Sequence, residues 1–183
     1  MNASKQIRLT TPFEPGILES LKAGDEVLLS GEIFTARDQA HKKLLGLLKE
    51  KAKLPLNLEN KVIYYCGPTR RRPEEVIGSC GPTTSSRMDT MTPPLLKLGL
   101  KGMIGKGRRS EAVRQAIQKH KGVYFLATGG AGALLSKKVK SLRKVCFTEL
   151  GPEAVCRLTV KDFPLIVGID ARGRDIFQRK GQK

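Results

Sequence analysis

The segment CGPTTSSRMDTMTPP, residues 80–94, brings together side chains that could do chemistry. A Gly-Pro turn leads into four consecutive hydroxyl residues, Thr83 to Ser86, and then into Arg87 and Asp89. Hydroxyl groups beside a guanidinium and a carboxylate can form an ordinary polar connection, or they can line a pocket that binds a small anion. The neighbouring elements must decide between these two interpretations.

Two further cations follow segments that resemble strands. Arg37 ends the segment 26–37, and Lys106 stands between two glycines that let a ligand approach the backbone closely. Arginine binds a carboxylate through two parallel hydrogen bonds, and each charge-assisted hydrogen bond is worth about 1.5–3 kcal/mol. Each cation alone is typical of a surface, but together with Arg87 they form the set that a dicarboxylate requires.

The periodicity of apolar residues predicts the elements that position these groups. The predicted strands are 26–37 (bulged or paired), 61–66, 101–107 and 122–127, followed by a strand-rich last third with a hairpin turn at 171–173. The predicted helices are 38–50 with Asp38 as N-cap, 92–99, 111–120 with Ser110 as N-cap, and one that follows a glycine-rich turn within 128–140.

Strand, glycine turn and helix thus recur three times between about residues 61 and 140, which is the rhythm of a layered α/β sheet. Strands at both ends of the chain indicate a mixed β/β/α domain instead of a doubly wound one. Ligands of such sheets bind at loops beyond the C-terminal ends of the strands. Three glycine-lined loops can therefore share one edge and face one pocket.

The composition is that of a folded globular protein: 183 residues, 39% apolar and 28% charged. We expect a single domain over residues 1–183. The polar opening segment lacks the apolar core of a secretory leader, and the apolar runs are too short to span a bilayer. A cytoplasmic location is the expectation.

The four cysteines, Cys66, Cys80, Cys146 and Cys156, show no C-x-x-C spacing. This pattern predicts neither a zinc site nor a disulfide framework, and it favours reduced and mostly buried thiols. An iron–sulfur cluster bound wholly by this chain is not expected, because cluster motifs bring cysteines close together in sequence. The glycine-rich segment 127–135 lacks G-x-G-x-x-G spacing, so close helix–strand packing explains it as well as a dinucleotide does.

The net charge of +17, from 34 Lys and Arg against 17 Asp and Glu, calls for an anionic partner or a solvated basic face. Nucleic acid, an acidic protein surface and anionic substrates all fit this requirement. The basic clusters are scattered along the chain, aromatic residues make up only 5% and Trp is absent. The charge therefore permits RNA binding without specifying it.

Six segments carry a resemblance to a known family. They are TARDQAHKK (35–43), YYCGPT (64–69), GSCGPTTSSRMDTMTP (78–93), KGMIGKG (101–107), YFLATGGAGALLSKKV (124–139) and ELGPEAV (149–155). In this order they resemble the β subunit of the iron–sulfur-dependent class I fumarate hydratases and L-tartrate dehydratases. The resemblance covers about residues 10–177 and leaves short tails. In single-chain enzymes of this class, the same unit is the C-terminal domain.

The resemblance implies a swivelling β/β/α domain, an α/β fold with a mixed sheet and flanking helices. It also implies a [4Fe–4S] cluster whose three cysteine ligands belong to a partner α subunit, with one iron open to substrate. This chain then supplies no metal ligand. It closes over the cluster in a heterodimer or heterotetramer, and it is expected to be inactive alone.

The resemblance also assigns roles by position. Thr83 corresponds to the threonine proposed as catalytic base, and Arg87 corresponds to a ligand of a substrate carboxylate. Arg37 and Lys106 correspond to two further cations around the substrate. A threonine hydroxyl is a poor base unless its alkoxide is stabilised, and arginine and lysine charges in a dry pocket would lower its pKa.

Three more residues are candidates for the surroundings of these groups. Asp89, just after Arg87, is interpreted as the carboxylate that holds this arginine in place. Thr84 is its neighbour in the same loop. His41 lies one helical turn after Arg37, where it either orients a ligand or pairs with a nearby carbonyl group.

The sequence therefore predicts the β half of a hydro-lyase, a carbon–oxygen lyase that interconverts malate and fumarate. Dehydration of L-tartrate is the nearest alternative, with the same chemistry on another dicarboxylate. A non-catalytic, basic RNA-binding protein on the same scaffold is the alternative from a different class. The joint presence of Arg37, Thr83, Arg87 and Lys106 favours the enzyme, since RNA binding does not require this set.

Overall fold

The computed structural model describes residues 6–128 and 130–178. Gly129 of the glycine-rich segment and the predicted domain's ends, 1–5 and 179–183, lie outside the described residues. The strands are β1 (Ile7–Thr11), β2 (Glu26–Thr35), β3 (Val62–Tyr64), β4 (Gly102–Gly105), β5 (Val123–Leu126), β6 (Val139–Cys146) and β7 (Val155–Ile169). The α-helices are α1 (Ile17–Ser20), α2 (Asp38–Lys49), α3 (Thr92–Lys97), α4 (Glu111–His120) and α5 (Gly132–Ser136). Short 3-10 helices lie at Ser85–Met88 and Thr148–Glu153.

The strands form one mixed sheet with the order β1-β2-β3-β4-β5-β7-β6. Neighbours from β1 to β5 are parallel, whereas β7 is antiparallel to β5, β6 and β2. The pairing of β7 with both β5 and β2 closes β2, β3, β4, β5 and β7 into a ring. A single α/β domain with a mixed sheet and flanking helices is thereby confirmed.

Alternate residues of the central strands point into two different hydrophobic clusters, one on each face of the sheet. Val62 and Tyr64 of β3 belong to the cluster on the inner face of the ring. Ile63 and Tyr65 point the other way, into a cluster that includes the apolar residues of α2, α3 and α4. This two-residue alternation is expected for strands that are buried on both faces. The ends of these strands are therefore held firmly on both sides. No helix within the described ranges has the length and apolar character needed to cross a membrane.

The strand predicted at 26–37 is a single bulged strand, with a register shift between Leu29 and Gly31. Gly31 has a φ of 105°, and a Cβ there would lie 2.4 Å from Thr11 Oγ1, so the bulge requires glycine. The helix predicted within 128–140 is wrong in its second half. It ends at Ser136, and the buried Val139 pairs with Val160 as the start of β6.

Candidate active site

The parallel strands β2, β3 and β4 end at one edge of the sheet, and the predicted site residues lie there. Arg37 comes shortly after β2. The amide of Thr83 donates to the carbonyl oxygen of Tyr65, which follows β3, at 2.6 Å. Thr84 forms a parallel bridge with Lys106, directly after β4. Loops distant in sequence are therefore joined by backbone pairing, with Thr83 half-buried and both Thr84 and Lys106 exposed.

One carboxylate, that of Asp38, links the two arginines. Its Oδ1 accepts a hydrogen bond from Nε of Arg87 at 2.8 Å, and its Oδ2 lies 3.4 Å from Nε of Arg37. Burial by itself raises the pKa of Asp38, but its own backbone amide and the Arg87 guanidinium outweigh this and hold the pKa below its ordinary value. Asp38 is therefore an anion between two cations.

The prediction that Asp38 caps α2 is wrong, because the helix begins at Asp38 and Arg37 occupies the N-cap position without a side-chain cap. Glu153 supplies the cap instead: its Oε2 accepts from the amide of Gln39 at 2.8 Å. Its Oε1 also lies 3.5 Å from Nη2 of Arg37. Because Glu153 satisfies the helix terminus, the carboxylate of Asp38 is available to the arginines.

Of the two glycines beside Lys106, Gly105 serves the protein's own packing, whereas a Cβ at Gly107 would meet nothing within 4 Å. A Cβ at Gly105 would lie 2.0 Å from Oγ of Ser85 and 2.9 Å from the Tyr65 ring. Ser85 is fully buried and accepts a hydrogen bond from the Tyr124 hydroxyl at 2.9 Å. Gly105 thus admits the hydroxyl loop, not a ligand as the sequence suggested. This contact fixes the loop against the end of β4.

A buried ion pair lies under the same loop. Arg109, whose side chain is fully buried, donates through Nε to Asp89 at 2.6 Å and through Nη2 to Thr92 at 2.8 Å. Its guanidinium also stacks on Tyr65 and Tyr124, 5.3 and 5.0 Å from the ring centroids. The interpretation of Asp89 as the partner of the preceding arginine is therefore wrong. Asp89 binds Arg109 instead, and Asp38 holds the arginine of the hydroxyl loop.

His41 is fully buried and pairs with a carbonyl group, as one of the two alternatives predicted. Its Nδ1 donates to the carbonyl oxygen of Arg37 at 2.9 Å, and its ring packs edge-on against Tyr65 at 5.3 Å. Burial lowers the pKa of His41 to about 4, with the charge of Arg109 acting in the same direction. The imidazole is therefore neutral near pH 7, and its Nε2 has no hydrogen-bond partner among the described residues.

The loop after β5 packs on the hydroxyl loop. The amide of Cys80 donates to the carbonyl oxygen of Gly132 at 3.3 Å. A Cβ at Gly132 would lie 2.9 Å from the amide nitrogen of Gly81. Close packing of backbone on backbone accounts for glycine here. The described part of the glycine-rich segment therefore supports the loop that carries the site residues.

The cysteines do not form a metal site within the described ranges. Cys66, Cys80 and Cys156 are buried and Cys146 is half-buried, and no His, Cys, Asp or Glu group of three or more converges there. A hydrogen bond to Cys80 and burial raise the pKa of Cys66, and burial raises the pKa of Cys146 and Cys156, whereas the hydrogen bond with Cys66 lowers the pKa of Cys80. A cluster requires several thiolates that converge on one point, and the thiols of the described residues do not.

The arrangement suits the binding of a small anion. The three cations Arg37, Arg87 and Lys106 share one edge of the sheet with the two carboxylates Asp38 and Glu153, which leaves an excess of positive charge. Thr83 is anchored at the same edge by its backbone hydrogen bond to Tyr65. Sequence reasoning missed the roles of Asp38, Glu153 and Arg109. Of these, only Asp38 had a signal, since an acidic residue directly after a candidate arginine can pair with it.

Comparisons with known proteins identify the family of this chain. The sequence model of the family described as Fumarase C-terminus matches residues 1–180. The chain is 40% identical to a protein of Methanocaldococcus jannaschii provisionally named L(+)-tartrate dehydratase subunit beta, over 91% of this chain and 88% of that one. It is 34% identical to L(+)-tartrate dehydratase subunit beta of Escherichia coli, over 92% and 85% of the two chains.

A second group of relatives is much longer. The chain is 39% identical to the anaerobic class I fumarate hydratase of Escherichia coli, over 82% of this chain but only 28% of that enzyme. None of these three relatives is named as a nucleic-acid-binding protein, so the RNA-binding alternative receives no support. The family match and the extent of the identities show that the chain belongs to the Fumarase C-terminus family of hydro-lyases, as a domain of the β-subunit type.

Proposed function

We propose that this chain is the β subunit of a two-subunit hydro-lyase that reversibly hydrates fumarate to malate. The observation that carries the proposal is the meeting of Arg37 and Arg87 on one carboxylate, beside the paired Thr84 and Lys106. A dicarboxylate is the ligand that matches several cations grouped at one edge of the sheet. L-tartrate is the second candidate substrate, because two of the relatives carry tartrate dehydratase names.

The cations bind the substrate in this proposal. Arg87, with 52% of its side chain exposed, and Arg37 give paired hydrogen bonds to the carboxylates. Lys106, exposed directly after β4, adds a point charge. Together they orient the carbon chain relative to Thr83, and they make the site favourable for a dianion. Thr84 and His41 belong to the surroundings of these groups in the proposal.

Thr83 acts as the base in this proposal. Nearby positive charges stabilise its alkoxide, which then removes the proton from the carbon next to a carboxylate of malate. The electron pair of that C–H bond forms the double bond as the hydroxyl group leaves the adjacent carbon. Hydration reverses these movements, and the Thr83 hydroxyl returns the proton. An acid that assists the leaving hydroxyl comes from the partner subunit.

The cofactor of the proposal is a [4Fe–4S] cluster ligated by a partner α subunit. The buried thiols of this chain do not fit a cluster, so none of the four cysteines is assigned as a ligand. Bound on the partner, such a cluster would supply a Lewis acid for the substrate hydroxyl. The proposal includes a swivelling movement of this domain, which closes the cationic edge over the substrate in the complex.

Anaerobic reconstitution with the cysteine-bearing partner tests the function. We expect no turnover by this chain alone, and turnover by the complex on malate and fumarate, or on tartrate if that alternative is correct. Inactivity of the complex on all of these substrates would contradict the proposal. Parallel assays on malate, fumarate and both tartrate enantiomers identify the preferred substrate.

Thr83→Ala tests the assigned base within that complex. Removal of a general base lowers turnover by about 10²–10⁴-fold, and we expect KM to change far less. Thr84→Ala is the matched control, since it removes a hydroxyl from the neighbouring residue, and it should retain most of the turnover. Wild-type turnover in the Thr83→Ala complex would remove Thr83 from this role. Arg87→Ala should instead raise KM.

A further inference from the structure

Asp38 contacts both arginines of the candidate site at the same guanidinium atom, Nε. Its two carboxylate oxygens lie 2.8 Å from Nε of Arg87 and 3.4 Å from Nε of Arg37. A guanidinium carries five N–H donors, one on Nε and four on the terminal nitrogens Nη1 and Nη2. Asp38 therefore takes the inner donor of each arginine and leaves the outer donors to other groups.

The outer donors of these arginines are largely available. In the described part of the chain, Nη1 and Nη2 of Arg87 have no hydrogen-bond partner. Arg37 has Nη2 at 3.5 Å from Oε1 of Glu153, which is longer than an ordinary hydrogen bond. The terminal nitrogens are the atoms that grip a carboxylate in a bidentate pair. Both arginines thus retain the face that a carboxylate ligand needs.

Asp38 is itself well placed to hold them. It is the first residue of α2, where a negative charge is favourable, and only 13% of its side chain is exposed. Glu153 accepts from the amide of Gln39, so Asp38 does not have to serve as the side-chain cap of the helix. A group on a helix is held more precisely than one on a loop, and this carboxylate joins two loops.

We propose that Asp38 is a positioning residue: it holds Arg37 and Arg87 by their Nε atoms and so directs their terminal nitrogens at one dicarboxylate ligand. This inference rests on the proposed function. Asp38 does not touch the ligand and acts through the two arginines. The site's affinity therefore depends on a negative charge that, by itself, repels the substrate.

Because of this opposition, the direction in which Asp38→Asn changes substrate affinity distinguishes a positioning role from a purely electrostatic one. Asp38→Asn removes a negative charge from the site, so Coulomb attraction alone would tighten the binding of a dianion. Asparagine has a single oxygen acceptor, however, and its NH2 group cannot accept from the second arginine. Positioning therefore predicts weaker binding, with KM for L-malate raised about tenfold or more and kcat changed less.

The matched control is Asp162→Asn. Asp162 lies within β7 and accepts from Nη1 of Arg8 at 2.5 Å. Asp162→Asn therefore makes the same substitution as Asp38→Asn and likewise removes one negative charge and one ion pair with an arginine. We expect wild-type KM for this variant. Asp38→Glu keeps the charge but moves the carboxylate by a methylene group. Positioning predicts weaker binding for it too, whereas a role of charge alone predicts wild-type binding.

Two readouts separate this inference from the proposed function. The first is NMR of the Nε–Hε groups in the full chain labelled with 15N-arginine. We expect Asp38→Asn to abolish the protection from solvent exchange of at least one of the Arg37 and Arg87 signals, because asparagine keeps a single acceptor. The second is the separate measurement of KM and kcat for L-malate in the reconstituted complex, where we expect KM to rise more than kcat falls. Unchanged arginine signals, or a lowered KM in Asp38→Asn, would overturn the inference. A wild-type complex without hydro-lyase activity would overturn the proposed function, and the Nε–Hε signals would still decide whether Asp38 holds the arginines.

Discussion

His41 couples the stability of the fold to pH. Its pKa of about 4 in the folded chain lies below the ordinary value of 6.5, so the unfolded chain takes up this proton first as the pH falls. Stability that is present above about pH 6.5 is therefore lost progressively toward pH 4. We expect His41→Asn, which keeps a donor for the Arg37 carbonyl, to be less stable near neutral pH but to lose about 3 kcal/mol less over this interval. Urea denaturation across the pH range measures the difference.

His120 provides the control for that measurement. It ends α4, is half-buried, and its pKa is lowered by partial burial and by the charges of nearby lysines. Because His120 is less buried than His41, we expect His120→Asn to change the pH profile of stability less than His41→Asn does. Equal slopes for wild type and His41→Asn would show that His41 is not held neutral by burial.

At the scale of single residues, the sequence pointed to Arg37 and Arg87 together, and the two side chains share Asp38. Arg37 and Lys106 follow the ends of β2 and β4, and parallel strands end together, whereas Arg87 lies in the 3-10 helix of the hydroxyl loop. The partners of charged groups were harder to predict. Arg87 has a carboxylate two residues away at Asp89. It nevertheless binds Asp38, because the path of the chain decides which carboxylate faces it.

The buried pair of Asp89 and Arg109 acts at the scale of elements. Asp89 lies just before α3 and also accepts from the amide of Ser110 at 2.6 Å, so one carboxylate fastens the hydroxyl loop to the start of α4. Asp89→Asn leaves the guanidinium of Arg109 buried without its counterion. We expect the free energy of unfolding to fall by about 3–5 kcal/mol, measured by chemical denaturation.

The double variant Asp89→Asn with Arg109→Met distinguishes a buried charge from lost packing. Once both charges are removed, no unpaired ion remains, so the double variant should be more stable than the sum of the two single losses predicts. Additive losses would show that Arg109 contributes through packing on the two tyrosine rings alone. The hydroxyl loop would then not depend on this ion pair.

Elements with local signals were predictable, and those that depend on distant partners were not. The spacing of Ala40 and Leu44 correctly placed α2, and Ser110 does cap α4 by accepting from Val113. The cap of α2 comes from Glu153, far along the chain, and no local pattern indicates it. Local patterns therefore locate an element, while long-range contacts decide how it ends.

At the scale of the whole molecule, the closed ring of strands explains why the loops of the candidate site lie close together. Repeated strand–turn–helix units predict parallel strands, but they do not show that β7 pairs with both β2 and β5. This closure depends on residues more than a hundred positions apart, as when the amide of Cys156 donates to Oγ1 of Thr35 at 3.0 Å. With its strands held in a ring, the loops at one edge converge on a small area.

The net charge of +17 acts on the whole molecule, and the β6 edge offers a way to separate global repulsion from local pairing. Arg143 of β6 lies directly opposite Arg157 of β7, and like charges in this relation are unfavourable. Arg143→Glu should stabilise the fold by about 0.2–1 kcal/mol more than Lys144→Glu, which changes the net charge equally but faces Cys156 in the register. Chemical denaturation should show this difference at low salt and a much smaller one at about 1 M salt, where the Debye length is about 3 Å. Equal gains for the two variants would mean that net charge, and not the cross-strand pair, sets the repulsion at this edge.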